Sequence, residues 1–318
     1  MKPRPYVLAE TNWKTVQKED YKLAILPWGA TEPHNYHMPY ATDNYQAEYV
    51  SIESARKSWE DGAKSVVLPT IPYGVNTGQL DLKLCMNMNP STQLAILKDI
   101  VDVLNRHSIS KLVILNSHGG NNFKQQIREL YFHYPDVFVC SVNWWQVANA
   151  EKYFEEPGDH AGELETSAIM AIEPELVLPL SEAGPGKAKQ FSVDGLNQKW
   201  ATTQRKWTEV TEDTGVGNPK AVLATVKQQN IDPVNTFIFS DHYDWETEDV
   251  EKMTSKMREK GIRHLLMTEK DGVKLIRFKK HFLELGIQLW VCKMKIEVNR
   301  AWDDLILQLQ KHLAEGKS

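Results

Sequence analysis

The sequence predicts an α/β fold: a three-layer sandwich around a mostly parallel sheet, followed by a smaller α/β C-terminal segment. Three observations lead there. Short apolar runs alternate with longer stretches of helical periodicity through the first half of the chain. The helices fall between the strands, which argues for parallel strands covered on both faces. Near residue 220 the chain changes character, and a fresh set of strand and helix patterns begins.

The elements follow in order. Residues 23–26 (LAIL) form a buried strand that stops at Pro27-Trp28-Gly29. Helical periodicity runs over 45–61 and ends at Gly62. Residues 65–68 (SVVL) make a second strand. A helix opens at Ser91 behind Pro90, with Leu94, Leu97, Ile100, Val101 and Leu104 on one face. Residues 111–115 (KLVIL) are a third strand, 122–131 a helix and 137–142 (VFVCSV) a fourth strand. Residues 180–220 read as loop. After them come a strand over 236–239, a helix over 246–260, strands over 264–267 and 288–298, and an amphipathic helix over 301–313. A boundary is placed between about Thr225 and Asn235, giving domains of 1–228 and 229–318.

Composition narrows the function. Of 318 residues, 42% are apolar and 25% charged, as in ordinary globular proteins. A net charge of −5 offers no basic footprint for nucleic acid. The Lys/Arg-rich region from 252 to 280 is interleaved with Glu and Asp and reads as a solvated helix face. Three dispersed cysteines (Cys85, Cys140, Cys292) make neither a disulfide framework nor a cysteine zinc site. They fit a reducing compartment, and the first residues lack the apolar core of a signal peptide. No stretch approaches the ~20 apolar residues of a membrane span. A cytoplasmic protein is expected.

Three polar clusters carry chemistry. Glu32-Pro33-His34, with His37 and Asp43, follows the first strand. Carboxylate and imidazole together suit zinc, manganese or iron. The plain alternative is a polar surface loop. Asn116-Ser117-His118-Gly119-Gly120-Asn121-Asn122 follows the third strand, at the end where such sheets bind ligands. Its glycines permit a sharp turn or a close approach, and Asn121 or Asn122 could cap the next helix. In Gly158 to Ser167, His160 and Glu165 stand five apart at the start of a helix, where Glu165 can project into a pocket. Glu163 is read as favourable charge at a helix N-terminus. Trp144 and Trp145 either wall the pocket or pack in the core.

LPWGATEPHNYHMPYATD, ILNSHGGNN and GDHAGELETS, in this order and spacing, resemble the signatures of the creatininase family, and TGVGNP at 214–219 resembles a fourth. The resemblance covers about residues 5–220. It implies a metal-dependent amidohydrolase with two divalent ions (Zn, Mn or Fe), a small-molecule amide substrate and usually a homo-oligomer. Glu32, His34, Asp43 and His118 match family metal ligands, with Asp43 the bridge between metals. His160 matches the catalytic histidine, and Glu165 the acidic residue of the last signature. Creatininase has an aromatic residue and a ligating glutamate where this chain has Gly119 and Gly120. Glu165 is therefore expected to supply the second carboxylate, as well as acting in catalysis. A cyclic amide or formamide is the expected substrate class rather than creatinine. Asn35-Tyr36, replacing a small Gly-Pro, should change the pocket wall, and His37 should support the ligands from behind.

From about Pro233, FIFSDHYDW and LLMTEKDGVKL resemble the C-terminal part of the lipid A (tetraacyldisaccharide) 4′-kinase. No GxxxxGK[ST] occurs in the sequence, so kinase activity is not expected. Asp241, His242 and Asp244 read as a strand end with capping residues. The alternative to an amidohydrolase is a non-catalytic metal- or ligand-binding protein with the tail as an interaction module.

Overall fold

The computed structural model describes residues 3–223, 245–268, 272 and 274–292. Four parallel strands, β1 (Leu23–Trp28), β2 (Ser65–Val67), β3 (Lys111–Asn116) and β4 (Phe138–Asn143), form one sheet in the order β2-β1-β3-β4. The crossovers carry α1 (Thr42–Glu60), α2 (Pro90–Arg106) and α3 (Lys124–His133); α4 (Glu163–Ile172) follows the sheet.

Alternation along the strands sorts the core into two faces. Ala24, Leu26, Trp28, Leu112 and Ile114 pack on one side against Leu97, Val101 and Leu104 of α2 and Leu130 of α3. Leu23, Ile25, Val113 and Leu115 pack on the other against Val50, Ile52 and Ala55 of α1. Helices therefore cover both faces, which makes the three layers that the strand–helix alternation predicts.

The differences from the sequence reading have local causes. β1 runs through Pro27, although proline donates nothing to a ladder. Pro27 lies beyond the last β1–β2 pair, Ile25↔Val67. Its carbonyl accepts the Ile71 N–H at 2.9 Å, so its missing donor faces the loop after β2 and not β3. Helix α1 begins at Thr42, three residues earlier than expected, which places Asp43 in its first turn, where backbone N–H groups favour negative charge. Helix α3 begins at Lys124, with the Asn122 side chain accepting the Lys124 N–H at 3.2 Å. Asn121 turns inward instead.

A second, two-stranded parallel sheet joins β5 (His264–Thr268) to β6 (Gln288–Cys292), preceded by α5 (Thr247–Glu259). Glu246 and Asp249 form a reciprocal capping box at the start of α5. Val250, Met253 and Met257 of α5 share a core with Met267, Leu275, Phe282 and Ile287. The expected boundary at 225–235, the strand at 236–239, Asp241, His242, Asp244, the far half of the 288–298 strand and the helix at 301–313 lie outside the described residues. Among the described residues no helix is long and apolar enough to cross a membrane.

Candidate metal centre

The order β2-β1-β3-β4 reverses direction between β1 and β3, so the loops leaving these two strands part and open a crevice at their carboxyl ends. The first loop carries Glu32 and His34, and the second carries His118. Asp43 enters from α1, and His160 and Glu165 from the start of α4. All six sequence-predicted residues come together. Glu32, His34, Asp43 and His118 are each at most 5% exposed.

Asp43 stands in the middle. Its Oδ1 lies 3.2 Å from His34 Nε2, and its Oδ2 lies 3.1 Å from His118 Nδ1. Glu32 Oε1 lies 2.9 Å from His118 Nδ1, and Glu165 Oε2 lies 4.0 Å from His34 Nε2. Two groups result: Glu32, Asp43 and His118 on one side, and His34, Asp43 and Glu165 on the other, each with ligand atoms within 4.8 Å of one another. Glu32, His34 and His160 make a third, overlapping group.

Backbone carbonyls fix the imidazoles. His34 Nδ1 is 3.1 Å from the Glu32 carbonyl, His118 Nε2 3.2 Å from the Val75 carbonyl and His160 Nε2 3.0 Å from the Pro33 carbonyl. A carbonyl only accepts, so each of these nitrogens carries the hydrogen, and the opposite nitrogen faces the cluster. Metal-binding histidines are typically held in this way.

The fit to a cation is tested by the oxygens. Glu32 Oε1 and Asp43 Oδ2 are buried, and neither meets hydrogen-bond geometry with any group. Buried carboxylate oxygens are costly unless a proton, a donor or a metal faces them. With imidazole nitrogens beside them, they form a donor set for zinc, manganese or iron.

The electrostatics agree. Burial would strip the proton from His34, but Asp43, Glu165 and Glu32 outweigh it and lift the ring to about 10. Burial likewise opposes a charge on His118, yet Glu32 and Asp43 hold its pKa well above the usual imidazole value. Burial pushes Glu32 up, but His118, His160 and His34 pull it below the usual carboxylate range. For Glu165 burial prevails over His34 and His160, and its pKa is raised.

The surroundings explain the motifs. Ala161, next to His160, adopts φ 52, a strained conformation for a residue with a Cβ, and its N–H donates to Glu165 Oε2. Gly158, Gly162 and Gly217 meet backbone to backbone, and a Cβ on Gly217 would lie 2.6 Å from the Gly158 Cα. This contact lets Val216 bond to His160 in both directions, through Val216 N–H to the His160 carbonyl at 2.7 Å and the reverse at 3.0 Å. The fourth signature is therefore a strap behind His160. Gly120 leaves room for the His118 ring and the Val75 carbonyl, both of which a Cβ there would strike.

Asn35 and Tyr36 have separate parts. Asn35, at φ 54, exchanges side-chain hydrogen bonds with Gly184 N–H at 2.8 Å and Gly184 C=O at 3.3 Å. Tyr36 is exposed, and its hydroxyl donates to the Glu212 carbonyl at 3.2 Å. His37 lies 3.0 Å from the Thr166 hydroxyl and joins the first signature to α4; burial and the charge of His34 push its pKa down to about 4. Trp144 packs on the α1 face of the sheet and donates to Ser117 Oγ at 2.9 Å, which is the core reading. Glu163 is buried and accepts the Glu156 N–H at 3.0 Å.

Sequence reasoning missed Gln79, which donates to Glu32, and Trp207, whose ring meets that of His160 edge-on at 5.4 Å. Asn121 was read only as a candidate helix cap; instead it accepts from Val75 N–H at 3.1 Å and Gln93 at 2.8 Å and so fixes the loop behind His118. Only Asn121 lay inside a motif.

Comparison with known proteins gives two families. The model for creatininase, creatinine amidohydrolase, matches residues 9–229. The model for tetraacyldisaccharide-1-P 4′-kinase matches residues 163–312, overlapping the first and starting well before Pro233, where the sequence begins to resemble that kinase. A crystal structure from Bacteroides fragilis NCTC 9343, provisionally assigned as a creatinine amidohydrolase, is 43% identical with TM-score 0.65, covering 71% of this chain and 90% of that one. The creatinine amidohydrolase of Pseudomonas putida is 26% identical over 176 residues, 49% of this chain and 66% of its own. A solved manganese form of creatininase shares the fold at 20% identity and TM-score 0.52, over 71% of this chain and 95% of that one. The tetraacyldisaccharide 4′-kinase of Halothermothrix orenii is 28% identical over 109 residues, 34% of this chain. The chain spans only 28% of that kinase's length.

Proposed function

Since this chain belongs to the creatininase family, whose model spans residues 9–229, we propose that it is a metal-dependent amidohydrolase that cleaves the C–N bond of a cyclic amide or formamide. The observation that carries this reading is Asp43. Its two oxygens face two different imidazoles, and it belongs to two carboxylate–imidazole groups, one completed by Glu32 and the other by Glu165. One group of Glu32, Asp43 and His118 and another of His34, Asp43 and Glu165 would each hold a divalent ion. Such ions, when bound, polarise an amide carbonyl and lower the pKa of water from 15.7 toward about 7.

The chain's own residues do the rest. His160 has Nε2 committed to the Pro33 carbonyl, so Nδ1 is the nitrogen free to exchange a proton. It lies 3.8 Å from Glu32 Oε1, beside the ligand cluster, where it can pass a proton to the departing nitrogen. Trp207 and the His34 ring, 4.3 Å away, hold the imidazole from two sides. Glu165, whose pKa burial raises, is the second acid–base candidate beside the cluster. Creatinine is disfavoured as the substrate because Gly120 stands where creatininase places a ligating glutamate.

The test combines metal analysis of the purified chain with hydrolysis of a panel of formamides, cyclic amides and creatinine. Turnover of formamides or cyclic amides, dependent on added Mn²⁺ or Zn²⁺, is expected. Stoichiometric metal with no turnover on any member would favour a metal-binding protein without catalysis.

A further inference from the structure

Gln79 belongs to none of the motifs, yet its amide ends in the cluster. Its Nε2 donates to Glu32 Oε2, and its Oε1 lies 3.6 Å from the Cys85 thiol, which donates to it. The reverse orientation would set the amide carbonyl against a carboxylate, so only one orientation is favourable. The two oxygens of Glu32 consequently have different surroundings. Oε2 is taken by Gln79, whereas Oε1, buried and without a hydrogen bond, lies 2.9 Å from His118 Nδ1 and 3.9 Å from His34 Nε2. The loop that carries Gln79 is itself anchored. Gln79 N–H donates to the Asn76 carbonyl at 2.9 Å, and Trp207 N–H to the Gly78 carbonyl at 2.8 Å.

We infer that Gln79 is a positioning residue. By occupying one oxygen of Glu32 it leaves the other as a single, fixed donor, and so sets the affinity of the Glu32–Asp43–His118 group for a divalent cation. Freed of this bond, the carboxylate turns about a broad terminal torsion and must be ordered again when an ion binds. Among the described residues the side chain of Gln79 bonds only to Glu32 and Cys85, and Glu32 Oε1 lies closer to His118, at 2.9 Å, than to His34, at 3.9 Å, so the His34–Asp43–Glu165 group should feel its loss far less. The inference rests on the proposed metal centre.

The test uses Gln79→Met, which keeps length and volume but has no donor. Mn²⁺ binding to the metal-stripped full chain is measured by chelator competition, together with the thermal midpoint of the metal-free protein. Removing a partner of this kind typically lowers metal affinity by about 10–100-fold. One ion should weaken by that factor while the other holds within about twofold. In a Glu165→Gln background, Gln79→Met should weaken the remaining ion; in a Glu32→Gln background it should do nothing. Equal weakening of both ions with a fallen midpoint would mean a packing role and overturn the inference, as would no change at all. Wild-type protein that takes up no Mn²⁺ would defeat the metal centre and this inference together, and it is read before any variant is made.

Discussion

Replacing Asp43 by Asn removes one charge and almost no volume, and it should cost both metal ions. The structure sets the size of the effect. One Asp43 oxygen lies 3.2 Å from His34 Nε2 and the other 3.1 Å from His118 Nδ1, so a cation held by either imidazole would also be held by this carboxylate. A pair of unit charges about 4 Å apart in surroundings of effective dielectric ~20 interacts by about 4 kcal/mol. A dication feels more than this, and the retained amide oxygen returns a part. A loss of about 4 kcal/mol per site corresponds to roughly a thousandfold in affinity. Of the two groups that share Asp43, Glu32→Gln changes the one with His118 and Glu165→Gln the one with His34, and each should chiefly weaken the ion of its own group. The assay is metal content after gel filtration, with chelator competition for the affinities. Asp43→Asn protein that keeps both ions, or loses only one, would refute the bridging role. The thermal midpoint of each metal-free variant separates loss of a ligand from loss of the fold.

Other outcomes follow from the same geometry. His160→Ala should retain metal while its turnover on an active formamide or cyclic amide falls by about 10²–10⁴-fold, the usual worth of a positioned acid or base; loss of metal in this variant would make His160 a ligand. Metal affinity should rise with pH. Carboxylates raise His34 to about 10, so below that pH the ring holds a proton that an incoming ion must displace, giving about tenfold in affinity per pH unit for each proton released; calorimetry in buffers of different ionisation enthalpy counts these protons, and none released would contradict the reading. The sign reverses for the metal-free fold. The extra stability from His34 is fully present below the unfolded value near 6.5 and is lost as pH rises through about 10. Gly120→Ala should destabilise the protein by about 1–3 kcal/mol and weaken metal binding, because its Cβ meets both the His118 ring and the Val75 carbonyl; an unchanged denaturation midpoint would show that the loop yields freely. Leu97→Ala, in the fully buried core, should cost about 2–5 kcal/mol in chemical denaturation without changing metal stoichiometry.

The linear sequence determined the layers and the side chains that gather at the candidate site. Apolar runs of four to six residues separated by helical stretches fix a parallel sheet, because a strand buried on both faces reads as uninterrupted hydrophobic residues and a parallel crossover needs a helix. Glu32, His34, Asp43, His118, His160 and Glu165 were legible because each sits in a short motif directly after a strand or at a helix start, places where backbone geometry makes position predictable. Tertiary structure alone decided the partners. That Asp43 divides its oxygens between His34 and His118 depends on the entry angle of α1 over the crevice, and no local pattern encodes this. Gln79 reaches Glu32 across 47 positions of sequence, and the carbonyls of Val75 and Pro33 orient imidazoles 43 and 127 residues away. Backbone carbonyls are chemically alike at every residue, so only folding selects which of them orients a ring. Contacts between distant loops are set by how the sheet twists and where its helices pack, and that information is spread over the whole core.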